Sequence, residues 1–182
     1  MSTKAQTLQT FDILNQQKKT VIDSLKNYLP SQLNICVEPN QWSVAQVISH
    51  LAIAESLSKK YLDKKIANKQ HTNEMGIMSG LRRNLINTIL KLPLKYKLPI
   101  AALSPNESIT FELALEEWNA IRNHYKLDLE KLDESFFNRD LFLHPLVGKM
   151  KLNDAFLFMY EHTAHHEKQI ARIISNPNFI NK

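Results

Sequence analysis

Tyr160-Glu161-His162-Thr163-Ala164-His165-His166-Glu167-Lys168-Gln169-Ile170 puts three of the chain's seven histidines within five residues. The apolar positions around them recur at steps of three and four. Leu152, Ala155 or Phe156, Met159, His162, His166, Ile170 and Ile173 share one face of a helix running from about Leu152 to Ile174. Asn153 or Asp154 gives its first turn polar or negative character, and Pro177 stops it. This seam has the rhythm of a bundle core. His162 and His166 sit in the middle of it, their Cβ atoms about 5–6 Å apart on one face. Two imidazoles so placed can grip one divalent cation, but two ligands alone rarely make a site.

Upstream, Ser108 to Leu132 reads as another long helix, with Leu115, Trp118, Ile121, Tyr125, Leu129 and Leu132 as its core stripe and Glu116, Glu117, Arg122, Glu130 and Lys131 on the solvated side. His124 lies off that stripe, at an exposed or boundary position. The loop from Asp133 to Met150 is rich in large apolar groups, including Phe136, Phe137, Leu141 and Phe142, and should lie against the bundle. Asn68 to Pro105 is the least regular stretch, punctuated by Gly76, Gly80, Pro93, Pro99 and Pro105. Within it, Ile77 to Leu92 can form a shorter helix using Leu81, Leu85, Ile86, Ile89 and Leu90, with basic charges only (Arg82, Arg83, Lys91, then Lys95 and Lys97). A flap packed over the core, its lysines in water, is the simpler reading of this segment than a membrane-surface anchor.

The best-marked helix start is Ser43, an N-cap with Gln46 three residues on as a capping box, and Trp42 and Val47 placed as a hydrophobic staple. Val47, His50, Leu51, Ala54, Leu57 and Tyr61 then define a buried face, with Lys59, Lys60, Asp63, Lys64 and Lys65 mostly away from it. Thr10 to Leu29 is the first helix, ended by Pro30, and Ser31 to Gln41 a polar connector. Four long helices and one inserted hairpin or short helix predict an all-α four-helix bundle, with a long crossover between the second and third long helices.

At 182 residues the chain reads as one domain, 1–182, able to bury a core without staples. Three glycines argue against a β-rich or glycine-loop nucleotide fold. The single cysteine, Cys36, permits no internal disulfide and reads as an inert thiol rather than a soft ligand. Met1 to Asp12 is polar, without the apolar core of a signal peptide, and no apolar run is long enough to span a membrane. A cytoplasmic protein is the expectation. The net charge of +5 disperses along the helices among acids, and no recognition helix or aromatic platform accompanies it, so nucleic acid is disfavoured as a partner.

His50, His162 and His166 thus occupy core phase on two helices. A buried imidazole without partners costs about 1–3 kcal/mol. One divalent ion at about 2.0–2.1 Å satisfies one nitrogen of each. A three-histidine site leaves coordination positions open, the pattern of a catalytic metal. Imidazole suits zinc, nickel, iron or copper; zinc or nickel is favoured, with iron or manganese as alternatives. Against this stands the plain alternative that a histidine on an apolar face is more often a satisfied core residue than a ligand. His165, about 100° around the helix from His166, is an acid–base candidate or a solvent-facing side chain, and the latter is favoured. Gln46 and Gln169 are equally readable as groups supporting the ligands and as capping or surface residues.

Three motifs in order resemble the DinB-like superfamily: Trp42-Ser43-Val44-Ala45-Gln46 followed by His50-Leu51 and Glu55; His144-Pro145-Leu146-Val147-Gly148-Lys149-Met150; and His162-Thr163-Ala164-His165-His166-Glu167-Lys168-Gln169-Ile170. Tyr96-Lys97 to Pro105, then Trp118 with Arg122, has a similar layout. The resemblance implies an up-down-down-up helix order, a metal held by His50, His162 and His166, and frequent dimers. It further implies chemistry on a small-molecule substrate. Characterised relatives include bacillithiol S-transferases and mycothiol-dependent maleylpyruvate isomerases, which use low-molecular-weight thiols, and others are assigned as metal-dependent hydrolases. Glu167-Lys168 stands where many members have Arg-Gly, which leaves the ligands intact but loosens any analogy of substrate. The competing expectation is a non-enzymatic stress-response or interaction protein with a structural metal or none, whose binding surface is the basic segment Leu81–Lys97.

Overall fold

A computed structural model of the chain describes residues 3–68, 73–74, 78–91, 103–144 and 148–180. Seven helices lie among the described residues: α1 (Lys4–Ser24), α2 (Pro30–Leu33), α3 (Val44–Ala67), α4 (Met78–Lys91), α5 (Phe111–Lys131), α6 (Leu152–Ile174) and α7 (Pro177–Ile180). Two three-residue strands, β1 (Phe142–His144) and β2 (Gly148–Met150), pair antiparallel with Phe142 opposite Met150. Gly76, Pro93, Lys95, Tyr96, Lys97, Pro99 and residues 145–147, which the sequence reading used, lie outside the described residues.

Side-chain bonds fix the directions of the four long helices. Thr10 bonds Asn153 and Gln17 bonds the carbonyl of Tyr160, so α1 and α6 run parallel and in step. Glu55 meets Arg122 while Lys59 meets Asp128 further on, so α3 and α5 are parallel too. Lys4 reaches the carbonyl of Leu132, whereas Lys18 reaches Asn119, so α1 opposes α5. The order is up-down-down-up. Two parallel neighbours joined in sequence, α3 and α5, require a connection that returns along the bundle, and the stretch containing α4 supplies it.

Two apolar clusters fill the bundle. One gathers Phe11, Leu62, Tyr125, Phe137, Phe142 and Phe156; the other gathers Val21, Leu25, Val47, Leu51, Trp118 and Ile170. Glu55 is buried with its partners: both its oxygens accept from Arg122, at 2.5 and 2.6 Å, and one also from Trp118 Nε1 at 2.9 Å. A buried carboxylate is tolerable only when so completely paired.

Several sequence expectations need correction. α1 begins six residues earlier than Thr10, because Thr3 and Gln6 form a capping box, and it ends at Ser24 rather than at Pro30. Pro30 instead starts α2 inside the stretch read as a connector, where its missing N–H costs nothing. α5 starts at Phe111, capped by Thr110, rather than at Ser108. Beyond His50, the inward face of α3 carries Glu55, Lys59 and Leu62, while Leu57 is exposed; Lys59 sits in the charges of Asp63 and Asp128. Arg122, placed in solvent by the sequence reading, is buried for the same reason. The Asp133–Met150 loop does pack inward, burying Phe136, Phe137, Leu141 and Phe142, through a 3-10 turn at Glu134–Phe136 followed by a pair of short antiparallel strands. Gly148 there has φ +83°, a conformation that favours glycine.

Polar side chains of α4 meet its neighbours. Ser79 accepts from the N–H of Lys151, Arg82 donates to the carbonyl of Lys149 at 2.7 Å, and Arg83 pairs with Asp154 at 2.9 Å. Leu81 and Leu85 point outward, 55 % and 57 % exposed.

Candidate metal centre

The Ser43 cap sets the start of α3, and His50 follows two turns later, facing α6. His50 Nδ1 lies 2.8 Å from the carbonyl of Leu103. A carbonyl only accepts, so Nδ1 carries the proton and the lone pair of Nε2 is free. His166 Nδ1 lies 2.8 Å from Oε1 of Gln169, one turn on, which frees its Nε2 in the same way. His162 Nε2 is 3.1 Å from His166 Nε2. One ligand nitrogen from each of His50, His162 and His166 lies within 4.8 Å of the others.

Aromatic neighbours hold the rings. Trp42 packs on His50 with centroids 5.0 Å apart, and Phe158 stacks on His162 at 5.7 Å and 12°. His144 and Phe158 meet edge-on, with centroids 4.8 Å apart. His50 and His166 are buried and His162 half-buried. Burial, reinforced by the neighbouring imidazoles, holds His162 well below the usual histidine range; burial and His50 bring His166 down to about 3; burial lowers His50 as well, partly offset by the Leu103 carbonyl. All three are therefore neutral at pH 7, the form that donates a lone pair.

This donor set fits a divalent cation. Two nitrogens bound at about 2.0–2.1 Å to one tetrahedral ion sit about 3.3 Å apart, close to the separation of the His162–His166 pair.

His165 is half-buried, its ring edge-on to His166 at 5.1 Å, and it contributes no atom to the cluster. Gln46 is a capping residue, accepting from the N–H of Ser43 and from the Cys36 thiol, whereas Gln169 supports a ligand. The Leu103 carbonyl and Phe158 were missed by sequence reading, and His144 was read only as part of a turn motif, not as a neighbour of the ligands. Phe158 had a signal, four residues before His162 on the same helix face; a backbone carbonyl has none.

Grooves open on the surface away from the cluster. One of about 540 Å³ runs between α4 and the outer sides of α1 and α6, past Arg83, Leu157 and Tyr160; another, of about 350 Å³, lies between α1 and α5. Neither is lined by the three histidines.

No curated protein matches the sequence. The fold is similar to that of YfiT from Bacillus subtilis, described as "a probable metal-dependent hydrolase with an unusual four-helix bundle topology", with 18 % identity, a TM-score of 0.53, and coverage of 96 % of this chain and 89 % of that one. At that identity the likeness speaks for the fold. The sequence itself matches the DinB superfamily over residues 13–170, and with the helix order and histidine cluster already in place, the chain belongs to the DinB superfamily.

Proposed function

We propose that this protein is a metal-dependent enzyme acting on a small molecule, with His50, His162 and His166 holding one divalent ion, zinc or nickel ahead of iron or manganese. The observation that carries the reading is the convergence of three neutral imidazoles, two with Nδ1 already committed to acceptors. When bound, such an ion supplies Lewis acidity with coordination positions left for substrate. The chain's own part is to keep the ligands neutral by burial, to orient His50 through Leu103 and His166 through Gln169, and to wall the ligands with Trp42 and Phe158.

Hydrolysis is the favoured reaction type, supported by what is said of YfiT; transfer to or from a low-molecular-weight thiol is the alternative within the same site. The reading takes the chain as a single-domain, cytoplasmic homodimer, in keeping with its family resemblance. His165 stands next to the ligands as an acid–base candidate.

Elemental analysis of protein purified without a polyhistidine tag should find about one divalent ion per chain, lost when His50, His162 and His166 are all changed to Ala. A triple variant that binds as much metal as wild type would sink the proposal. Thermal shift with thiols, then hydrolysis assays with an ester panel, both on metal-loaded protein, separate the two reaction types.

A further inference from the structure

On the seam opposite the histidines, α1 and α5 meet through polar side chains. Lys18 is the centre of this seam. It is only 9 % exposed, yet its ammonium has an amide oxygen, Asn119 Oδ1 at 2.5 Å, and the face of Trp118 at 5.3 Å as partners. No carboxylate pairs with it among the described residues. The nearby Glu55 is fully taken up by Arg122 and Trp118. Two buried cations therefore share one buried anion, leaving an excess of one positive charge inside the seam. Burial and the Arg122 charge accordingly bring the Lys18 amine down to about 8, against a smaller opposing effect of Glu55.

The groove of about 350 Å³ opens on this charge. Lys19 and Lys126 add cations at its walls, and Asp23, the one acid lining it, is already paired with Lys19 and Lys26 at 2.7 and 2.6 Å. The amides are oriented as well. Asn119 turns its oxygen to Lys18 and Asn15 turns its oxygen to Arg122, so each has its NH₂ directed elsewhere and available to donate. Ile22 and Leu115 supply an apolar wall. Ammonium groups, amide donors and a short apolar surface, with no unpaired acid, are the complement of an oxyanion on a small carbon body.

We propose that the α1–α5 groove binds a small organic oxyanion, a carboxylate or phosphate monoester, with Lys18 and Lys126 as its charge partners and Asn15 and Asn119 as donors. The site is separate from the histidine cluster and stands or falls independently of the metal reading.

The test is a titration of ¹⁵N-labelled protein, as purified, with phenyl phosphate, inorganic phosphate and benzoate at constant ionic strength. Saturable shifts of the Asn15 and Asn119 side-chain amides are expected, weakened about tenfold or more in Lys18→Met and in Lys126→Met. Removing the unpaired Lys18 charge should leave the fold intact, and Lys126 is exposed, so its variant keeps the test valid if the first fails to fold. Saturation by phenyl phosphate alone identifies a phosphate site and by benzoate alone a carboxylate site; either supports the proposal. Shifts that grow without saturating, that centre on His50, His162 and His166, or that persist in both variants overturn it.

Discussion

Gln169 shows how one side chain sets the use of another. Its Oε1 accepts from Nδ1 of His166, fixing the tautomer that presents Nε2 to His162. Partners of this kind typically contribute 10–100-fold to metal affinity. Gln169→Leu should therefore weaken zinc binding by about that range in a chelator competition, with the helical circular dichroism unchanged; an unaltered affinity would show that His166 needs no such support. His50 has the same arrangement, but its partner is a backbone carbonyl that no substitution removes. His165, the third histidine of the opening stretch, stands against His166 without joining the cluster, because one residue along a helix is a rotation of about 100°.

At the scale of elements, the end of each long helix matters most where it positions a ligand. Ser43 accepts from the N–H of Gln46, and Gln46 returns to the N–H of Ser43, which satisfies two otherwise orphaned donors at the start of α3. Ser43→Ala should cost about 1 kcal/mol, a fall of about 2–4 °C in Tm for a chain of this size, read by calorimetry. α4 carries a different lesson. Its arginines and Ser79 find acceptors and a donor in the hairpin and the start of α6, and a helix cannot present both faces to the same neighbour. Leu81 and Leu85 face outward.

At the scale of the whole molecule, four histidines are held neutral by burial: His50, His162, His166 and, beside Phe158, His144, which burial brings down to about 4. Each is easier to protonate unfolded than folded. Their contribution to stability is thus present above the unfolded value of about 6.5 and is lost as pH falls from there toward the folded values. For His144 alone, 2.5 pKa units correspond to about 3 kcal/mol. Urea midpoints of the metal-free protein should drop between pH 6.5 and 4, and more steeply in wild type than in His144→Gln. Parallel pH profiles for the two proteins would show that His144 is not held neutral by the fold.

The number and identity of the long helices were legible in the chain alone, since steps of three and four and the Ser43 capping box are local facts written in neighbouring residues. The sequence placed α6 at about Leu152 to Ile174, where the helix lies, and put His50, His162 and His166 at core phase. It left open which nitrogen each ring offers, because that depends on Leu103 and Gln169 as acceptors. Only the tertiary structure decided that Arg122 and Lys59 lie inside: Arg122 meets Glu55, 67 residues away, and Lys59 meets Asp128 across the same interface. A charged residue reads as solvated until its partner is known, and that partner lies on another helix. The same reason hid the contacts of Ser79, Arg82 and Arg83 and the Lys18 seam, where burial is set by what the fold brings opposite, not by the pattern along the chain.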